Sequence, residues 1–259
     1  IRHAASVLDR RMQRLIDERR AAAAAGEPRK PDLLTTLLEA RYDDGSPLPD
    51  HQIRDEVVTL FVAGHETTAS ALAWALAFLA RDPALLARVR AEVDALSGRV
   101  PGMADLPSLP LTLRVFKEAL RYYPPVFALA RQASEDITVG DCRLSRGAVV
   151  IFSAYALHHR ASLWPDPERF DPDRFLPEAE AARPRTAYIP FGAGPRSCIG
   201  NHFALIEGPL VLALMVQKAD FELIGEPIPE PQATLRPKGG MPMRVRLREG
   251  RVVDAVAAG

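Results

Sequence analysis

Cysteine is scarce in this chain: only Cys142 and Cys198 occur among its 259 residues. Two cysteines are too few for the disulfide framework that holds small secreted domains together, so we expect a reducing compartment. Each cysteine therefore has to be interpreted from its own surroundings in the sequence.

The chain has no excess of charge of one sign, and its aromatic residues are few. The 33 Lys and Arg residues balance the 33 Asp and Glu residues, which gives no indication of a nucleic acid or an anionic membrane as partner. Aromatic residues make up 7% of the chain, too few for platforms on which nucleic-acid bases stack. No signal peptide is evident, and the most apolar stretch, residues 68–80, is shorter than the roughly 20 residues that span a membrane. With 47% hydrophobic and 25% charged residues, the composition is typical of a soluble globular protein.

The spacing of apolar residues predicts a mainly helical fold. Apolar side chains recur at helical spacing over residues 4–20, and Asp32 is predicted to cap a short helix that ends at Glu39. Asp50 is predicted to begin the dominant helix, which continues to about Arg81 and, at 1.5 Å per residue, is roughly 45 Å long. Because this helix is apolar on most faces, we expect it to be central and buried.

Further elements follow along one predicted domain that covers residues 1–259. Helices are expected over about 83–96, about 109–122 and 201–218, and short strands over residues 128–152 and in the C-terminal tail. Residues 164–190 are rich in proline and charge and predict a long irregular segment, while His158 and His159 indicate a loop or a strand end. The predicted fold class is mainly α with small antiparallel β-sheets.

A glycine-rich run from Phe191 to Gly200, here called the cysteine loop, contains Cys198. Glycines allow turns and close approaches that a side chain would block, so the loop can bring the sulfur and several backbone N–H groups up to a large flat ligand. N–H donors and the start of the following helix favour an ionised sulfur. The pattern indicates a metal-binding thiolate that is the one protein ligand, against the alternative of a buried cysteine in a tight turn.

A run of small residues, Ala63-Gly64-His65-Glu66-Thr67-Thr68, lies in the middle of the dominant helix and is here called the small-residue motif. Glycine costs about 1 kcal/mol relative to alanine inside a helix. Ala63, Gly64, Thr67 and Thr68 share one helix face, which a planar ligand could approach, and Glu66 beside Thr67 places an acid next to an alcohol, a pair suited to relaying protons. The alternative is a groove of small residues where another helix crosses.

Two weaker patterns involve arginine. Glu118 and Arg121 are three residues apart on one predicted helix and can meet there, either as a structural pair or as an ordinary surface ion pair. The segment from Trp164 to Phe175 alternates proline, carboxylate and arginine, and an arginine from it would convert the pair into a buried network of three.

In order and spacing, these four patterns resemble the cytochrome P-450 family of haem-thiolate monooxygenases, and the chain resembles the C-terminal portion of its fold. Phe191–Gly200 matches the family pattern Phe-x-x-Gly-x-Arg-x-Cys-x-Gly at every position. The resemblance implies that Cys198 is the axial ligand of the iron of haem b, iron protoporphyrin IX, and that its electron donation favours O–O cleavage. It also implies that Glu118, Arg121 and Arg169 form a structural network that holds the cysteine loop against the core.

Roles for the other site residues follow from the same resemblance. Thr67 and Glu66 would be catalytic and deliver protons to dioxygen, while the remaining residues would contact the cofactor. Phe191 would pack near the sulfur, and Arg196, together with Arg131, would pair with the haem propionates. The predicted cofactor-contacting set is Cys198, Arg196, Phe191, Ala63, Gly64, Gly192, Arg131 and Gly200.

The implied reaction inserts one oxygen atom of O₂ into a lipophilic small-molecule substrate. Electrons would come from a separate ferredoxin- or flavin-type donor, since no flavin or nicotinamide motif occurs in the sequence. Arginine outnumbers lysine, 29 to 4, which fits a bacterial source and, with no membrane segment, a cytoplasmic location.

Two alternatives remain beside this interpretation. The chain begins with Ile1 rather than Met and lacks the family's N-terminal part, so we expect a fragment whose haem site and substrate pocket are largely exposed. Such a fragment could be a catalytically incompetent haem-binding unit. The other alternative is a peroxide-driven haem-thiolate enzyme that needs no redox partner.

Overall fold

A computed structural model describes residues 2–248, and over this range the chain is mainly helical, as predicted. The α-helices are α1 (Arg2–Ala24), α2 (Leu33–Glu39), α3 (Asp50–Arg81), α4 (Pro83–Asp94), α5 (Pro110–Tyr122), α6 (Ala154–His158), α7 (Pro177–Ala182) and α8 (Asn201–Lys218). Helix α7 and two 3-10 turns lie within residues 164–190, where the sequence predicted an irregular segment. The short helix α6 lies where a loop or strand end was expected around His158.

The strands form small antiparallel pairs, also as predicted. β1 (Leu129–Gln132) pairs with β4 (Val149–Phe152), and Arg131 lies opposite Val150 in that register. The other pairs are β2 (Ile137–Val139) with β3 (Cys142–Leu144), β5 (Ala219–Leu223) with β8 (Met243–Leu247), and β6 (Pro229–Pro231) with β7 (Leu235–Pro237).

Carboxylates fix the beginnings of three helices. The Asp32 and Asp82 side chains accept hydrogen bonds from the first turns of α2 and α4, as their capping positions predict. Helix α5 begins with Pro110 and has no side-chain cap of its own. The Glu92 carboxylate of α4 accepts instead from the N–H groups of Leu111 and Thr112, at 2.7 and 2.8 Å. Helix α4 therefore positions the start of the helix that carries Glu118 and Arg121.

The chain divides into two compact units, one ending at Glu66 and the other beginning at Thr67. Among the described side chains of the first unit, Met12, Ile16 and Ile53 are the buried apolar ones. Arg19 joins α1 to α2 there, since its guanidinium donates to the Asp32 carboxylate at 2.6 and 2.7 Å. The expectation of one haem-binding domain over residues 1–259 stays a prediction.

The core of the second unit lies between the later part of α3 and helices α4, α5 and α8. Helices α5 and α8 approach each other closely at Gly208, where an added Cβ would lie 2.2 Å from Cζ of the buried Phe116 ring. This contact requires glycine and joins the helix that follows the cysteine loop to the helix that carries Glu118 and Arg121.

The long helix α3 has the predicted bounds but not the predicted burial along its whole length. Its side chains are largely buried from Thr68 to Leu79, whereas residues 61–65 are exposed, with Phe61 and Val62 about half accessible. Over residues 2–248, no single helix is long and apolar enough to cross a membrane. Within this range, only α3 and α4 taken together have the length and composition to do so, and they are bent by 115° relative to each other.

Candidate functional site

The cysteine loop is a compact turn that presents Cys198 at the surface. Gly192 and Gly194 adopt φ values of +72° and +74°, which favour glycine, and a 3-10 turn runs from Gly194 to Arg196. The turn is closed by the Cys198 N–H, which donates to the Phe191 carbonyl oxygen at 2.8 Å. Phe191 packs against the core, whereas Cys198 is exposed. The alternative of a merely buried cysteine is therefore wrong.

One detail of the loop differs from the sequence-based expectation. We expected backbone N–H groups to point at the sulfur, but within residues 2–248 none donates to Cys198 Sγ. The loop uses these groups internally: the Gly192 N–H donates to Ile189 O at 3.0 Å, and the Ser197 N–H donates to Gly194 O, also at 3.0 Å. The loop is closed by its own hydrogen bonds, and its sulfur remains accessible.

Two glycines keep space around the sulfur and behind the loop. A Cβ at Gly200 would lie 3.8 Å from Cys198 Sγ and would cover part of it. A Cβ at Gly192 would lie 3.3 Å from Leu129 Cδ1, which shows that strand β1 packs directly behind the loop. The structure thus joins β1 and the cysteine loop in one surface.

Arg131 and Arg196 are two exposed guanidinium groups of this surface. Arg131 is two residues from Leu129 in β1, on the same face of the strand. Its Nη1 donates only to the neighbouring Ala130 carbonyl, at 2.9 Å. Within the described part of the chain, neither Arg131 nor Arg196 forms an ion pair with a carboxylate. Both cations are therefore available to an anionic ligand.

The small-residue motif lies in continuous α-helix. Ala63 and Gly64 are exposed, Glu66 and Thr67 are half-buried, and Thr68 is buried. Apart from its chain neighbours and the backbone of its own helix, a Cβ at Gly64 would have no heavy atom of the described residues within 4 Å, so the groove for a crossing helix finds no support there. Ala63, Gly64 and Glu66 belong to the first compact unit and Cys198 to the second. Their opposition across a haem stays a prediction.

Glu118 and Arg121 form a fully buried ion pair on α5. Arg121 donates through Nε and Nη2 to the two carboxylate oxygens of Glu118, at 2.7 and 2.8 Å, and both side chains are 0% exposed. Burial raises the pKa of the Glu118 carboxyl, while the bonds from Arg121 and from the Asp171 N–H, at 2.8 Å, oppose that rise. The alternative of an ordinary surface ion pair is therefore wrong.

The third arginine of this network is Arg174 and not the predicted Arg169. The Arg169 side chain is 68% exposed and lies 3.8 Å from the Asp171 carboxylate; only its backbone carbonyl enters the network, where it accepts from Arg121 at 3.3 Å. The Arg174 side chain is 10% exposed, and its Nε lies 3.5 Å from Glu118. Arg174 also donates to the carbonyls of Pro165 and Asp166, at 2.6 Å each.

The sequence contains a reason for this error. The pattern proline, one acidic residue, arginine and phenylalanine occurs twice, as Pro167–Phe170 and as Pro172–Phe175. Both copies offer an arginine before an aromatic anchor, and local spacing does not distinguish them. Tertiary packing does, because the Arg174 side chain is 10% exposed and the Arg169 side chain is 68% exposed.

His158 is a functional candidate that the sequence analysis did not identify. It is 0% exposed, and burial lowers the pKa of its imidazole to about 3. Its carbonyl oxygen accepts from Arg121 Nη1 at 2.9 Å, and its Nε2 accepts from the Ile189 N–H at 2.9 Å. The position of Ile189, just before the cysteine loop, is the signal that connects this histidine to the site.

The available donors restrict the kind of metal site that this surface can form. Within residues 2–248, no group of three or more His, Cys, Asp or Glu side chains could hold a metal ion. A metal at Cys198 would therefore take its remaining ligands from outside the protein, as in a macrocycle.

Comparison with known proteins agrees with this arrangement. A family model described as Cytochrome P450 matches residues 1–243. The chain is 43% identical to cyclooctatin synthase of Streptomyces melanosporofaciens over 80% of this chain and 45% of the relative. It is 39% identical to pentalenene oxygenase of Streptomyces avermitilis, over 86% of this chain and 49% of the relative.

A solved structure is also similar. It is a crystal structure of a cytochrome P450, CYP102L1, which superposes with a TM-score of 0.83 at 33% identity and covers 95% of this chain and 57% of that one. The chain spans about half the length of the curated relatives it matches.

Proposed function

The chain belongs to the cytochrome P450 family, and we propose that it is the haem-holding part of a monooxygenase that inserts one oxygen atom of O₂ into a lipophilic organic substrate. The observation that supports this most is the exposed Cys198 thiol on its glycine loop, together with the exposed Arg131 and Arg196, for which the described residues provide no carboxylate partner. This is a surface with one soft ligand for iron and two partners for carboxylates.

The residues present fit haem b. Cys198 would be its protein ligand, Gly200 leaves room beside the sulfur, Gly192 allows the close approach of the loop to β1, and Arg131 and Arg196 would hold the two propionates. When bound, haem supplies the activation of O₂, and thiolate ligation favours O–O cleavage. Glu118, Arg121 and Arg174 touch neither cofactor nor substrate in this proposal and keep the loop in place.

The small-residue motif would form the opposite side of the site. The exposed Ala63 and Gly64 would allow the flat ligand to approach the helix backbone. Thr67 would hold a proton at its hydroxyl oxygen for transfer to dioxygen, and the Glu66 carboxylate next to it would resupply that proton. These roles rest on the family resemblance and on the half-buried positions of the two side chains.

The substrate and the electron donor are proposed by class. Exposed Phe61 and Val62 lie next to the small-residue motif on α3 and favour an apolar molecule. Two relatives are named after cyclooctatin and pentalenene. These are different compounds, so the names do not specify a substrate here. A separate ferredoxin- or flavin-type protein would supply electrons, and we propose a cytoplasmic bacterial setting.

The test compares dioxygen plus an electron donor with peroxide as the source of oxygen. With haem loaded and a fatty acid as probe substrate, we expect hydroxylated product from dioxygen and a reductase system. Thr67→Val should strongly reduce the product formed per electron in the dioxygen reaction. The product formed per peroxide molecule should change much less, because peroxide already carries the protons that dioxygen has to acquire. Thr68→Val is the matched control, since it makes the same change at a buried neighbour and should affect both routes equally.

The outcome also separates the two alternatives. Product from peroxide alone, with none from dioxygen and reductant across several reductase systems, would replace the proposal by a peroxide-driven enzyme. Thiolate-ligated haem with no product by either route would identify a haem-binding unit without activity.

A further inference from the structure

His158 connects the buried Glu118–Arg121 pair to the cysteine loop through hydrogen bonds from both ends of its ring. Its Nδ1 lies 3.2 Å from the Arg121 carbonyl oxygen, and its Nε2 lies 2.9 Å from the Ile189 backbone nitrogen. A carbonyl can only accept and a backbone N–H can only donate. The contacts therefore assign the proton to Nδ1 and leave Nε2 as an acceptor.

The segment that enters the cysteine loop is held at three successive residues. The Ala187 carbonyl accepts from Trp164 Nε1 at 3.2 Å, and the Tyr188 hydroxyl donates to the Lys117 carbonyl at 2.9 Å. The Ile189 N–H donates to His158. Of these three attachments, the last is the nearest to the loop.

The attachment at Ile189 continues into the loop itself. The carbonyl of Ile189 accepts from the Gly192 N–H at 3.0 Å, and the carbonyl of Phe191 accepts from the Cys198 N–H at 2.8 Å. Removal of the His158 acceptor would leave the partly buried Ile189 N–H without this partner and free the residue whose carbonyl closes the first turn of the loop.

We propose that His158 is a positioning residue for Cys198: it transmits the fixed position of Arg121 to the entrance of the cysteine loop and so sets the place of the sulfur. Its relevance to haem ligation rests on the proposed function, whereas its effect on the loop does not. Burial keeps the ring neutral, which preserves Nε2 as an acceptor.

The test uses two amides that each reproduce half of the imidazole. His158→Gln retains an acceptor at about the position of Nε2, whereas His158→Asn is too short to reach Ile189 and retains only the donor near Nδ1. His159→Gln is the matched control, because His159 is the next residue and its Nδ1 contacts only the Tyr155 carbonyl, at 2.9 Å. Amide hydrogen exchange of the purified chain is measured over residues 187–200 and, as a reference, over α4.

We expect His158→Asn to accelerate exchange over residues 187–200 by about tenfold relative to α4, the equivalent of one lost hydrogen bond. In His158→Gln, the exchange rate over residues 187–200 relative to α4 should stay within about threefold of the wild-type value. In His159→Gln, this ratio should be unchanged. Equal acceleration of the loop and α4 in His158→Asn would overturn the proposal, because His158 would then stabilise the fold as a whole. A tenfold acceleration in His158→Gln would overturn it as well, and this variant keeps the test valid if the asparagine variant does not fold.

A second measurement connects the loop to the cofactor. Transfer of haem from the loaded chain to apomyoglobin should be about tenfold faster for His158→Asn than for His158→Gln, by the same hydrogen-bond estimate. If the wild-type chain takes up no haem, the proposed function fails while the exchange result stands. If haem transfer is equal in the two variants although loop exchange differs, His158 does not set the position of the sulfur.

Discussion

Replacement of Arg174 should destabilise the second compact unit far more than replacement of Arg169. The two arginines are five residues apart in repeated sequence patterns, yet their side chains are 10% and 68% exposed. Arg174→Ala removes two 2.6 Å bonds to the carbonyls of Pro165 and Asp166 and a cation beside Glu118. Arg169→Ala removes only a 3.8 Å contact with Asp171.

The expected magnitudes follow from these contacts. A hydrogen bond to a charged donor contributes about 1.5–3 kcal/mol, so Arg174→Ala should lower the free energy of unfolding by about 3–5 kcal/mol. An exposed ion pair contributes about 0–1 kcal/mol, which is the expected cost of Arg169→Ala. With a denaturant slope of about 2 kcal/mol per molar urea, the midpoint should fall by about 2 M for the first variant and by less than about 0.5 M for the second.

Tryptophan fluorescence during urea unfolding measures this difference in the right part of the molecule. The chain has two tryptophans, Trp74 and Trp164, and both are fully buried in the second unit. Their emission therefore reports the unfolding of the unit that contains the network. Equal midpoints for the two variants, or a larger loss for Arg169→Ala, would refute the assignment of Arg174 to the network.

Three further predictions concern stability. Gly208→Ala should lower the free energy of unfolding by about 1–3 kcal/mol, because its Cβ would collide with Phe116. Gly64→Ala should stabilise its helix by about 0.5–1 kcal/mol. Urea titrations that show the reverse order of stability would contradict both predictions. Glu92→Gln should lower the free energy of unfolding by about 1–2 kcal/mol, since the Glu92 carboxylate caps the N-terminus of α5. An unchanged urea midpoint would exclude that role. The pKa of His158 is lowered to about 3 on folding, so the unfolded chain binds the extra proton and stability falls as the pH falls from 6.5 towards 3. Between pH 6.5 and 5.5 the wild type should lose about 1 kcal/mol more than His158→Gln, and parallel pH profiles of the two proteins would contradict a buried neutral ring.

Local signals were sufficient to predict the parts of the fold that depend on neighbouring residues. Asp32 and Asp82 begin helices as their capping positions indicate, and the bounds of α3 follow from its apolar spacing. The glycines of the cysteine loop predicted a tight turn, and Gly192 and Gly194 do adopt positive φ.

Features that depend on tertiary contacts could not be obtained in this way. The exposure of residues 61–65 within an apolar helix depends on what packs against it, which periodicity does not contain. Arg169 and Arg174 have similar neighbours in sequence, and only their burial and contacts in the folded chain distinguish them. His158 is far in sequence from both Arg121 and Ile189, so its two hydrogen bonds have no local signature.

The absorption spectrum of the reduced, carbon-monoxide-bound, haem-loaded chain tests the central claim most directly. Thiolate ligation by Cys198 predicts a strongly red-shifted Soret band that is lost in Cys198→Ala. Cys142→Ala is the matched control, because it removes the other exposed thiol of the chain and should leave the band in place. A red-shifted band that survives Cys198→Ala, or that is lost in Cys142→Ala, would contradict the assignment of Cys198 as the ligand of the haem iron.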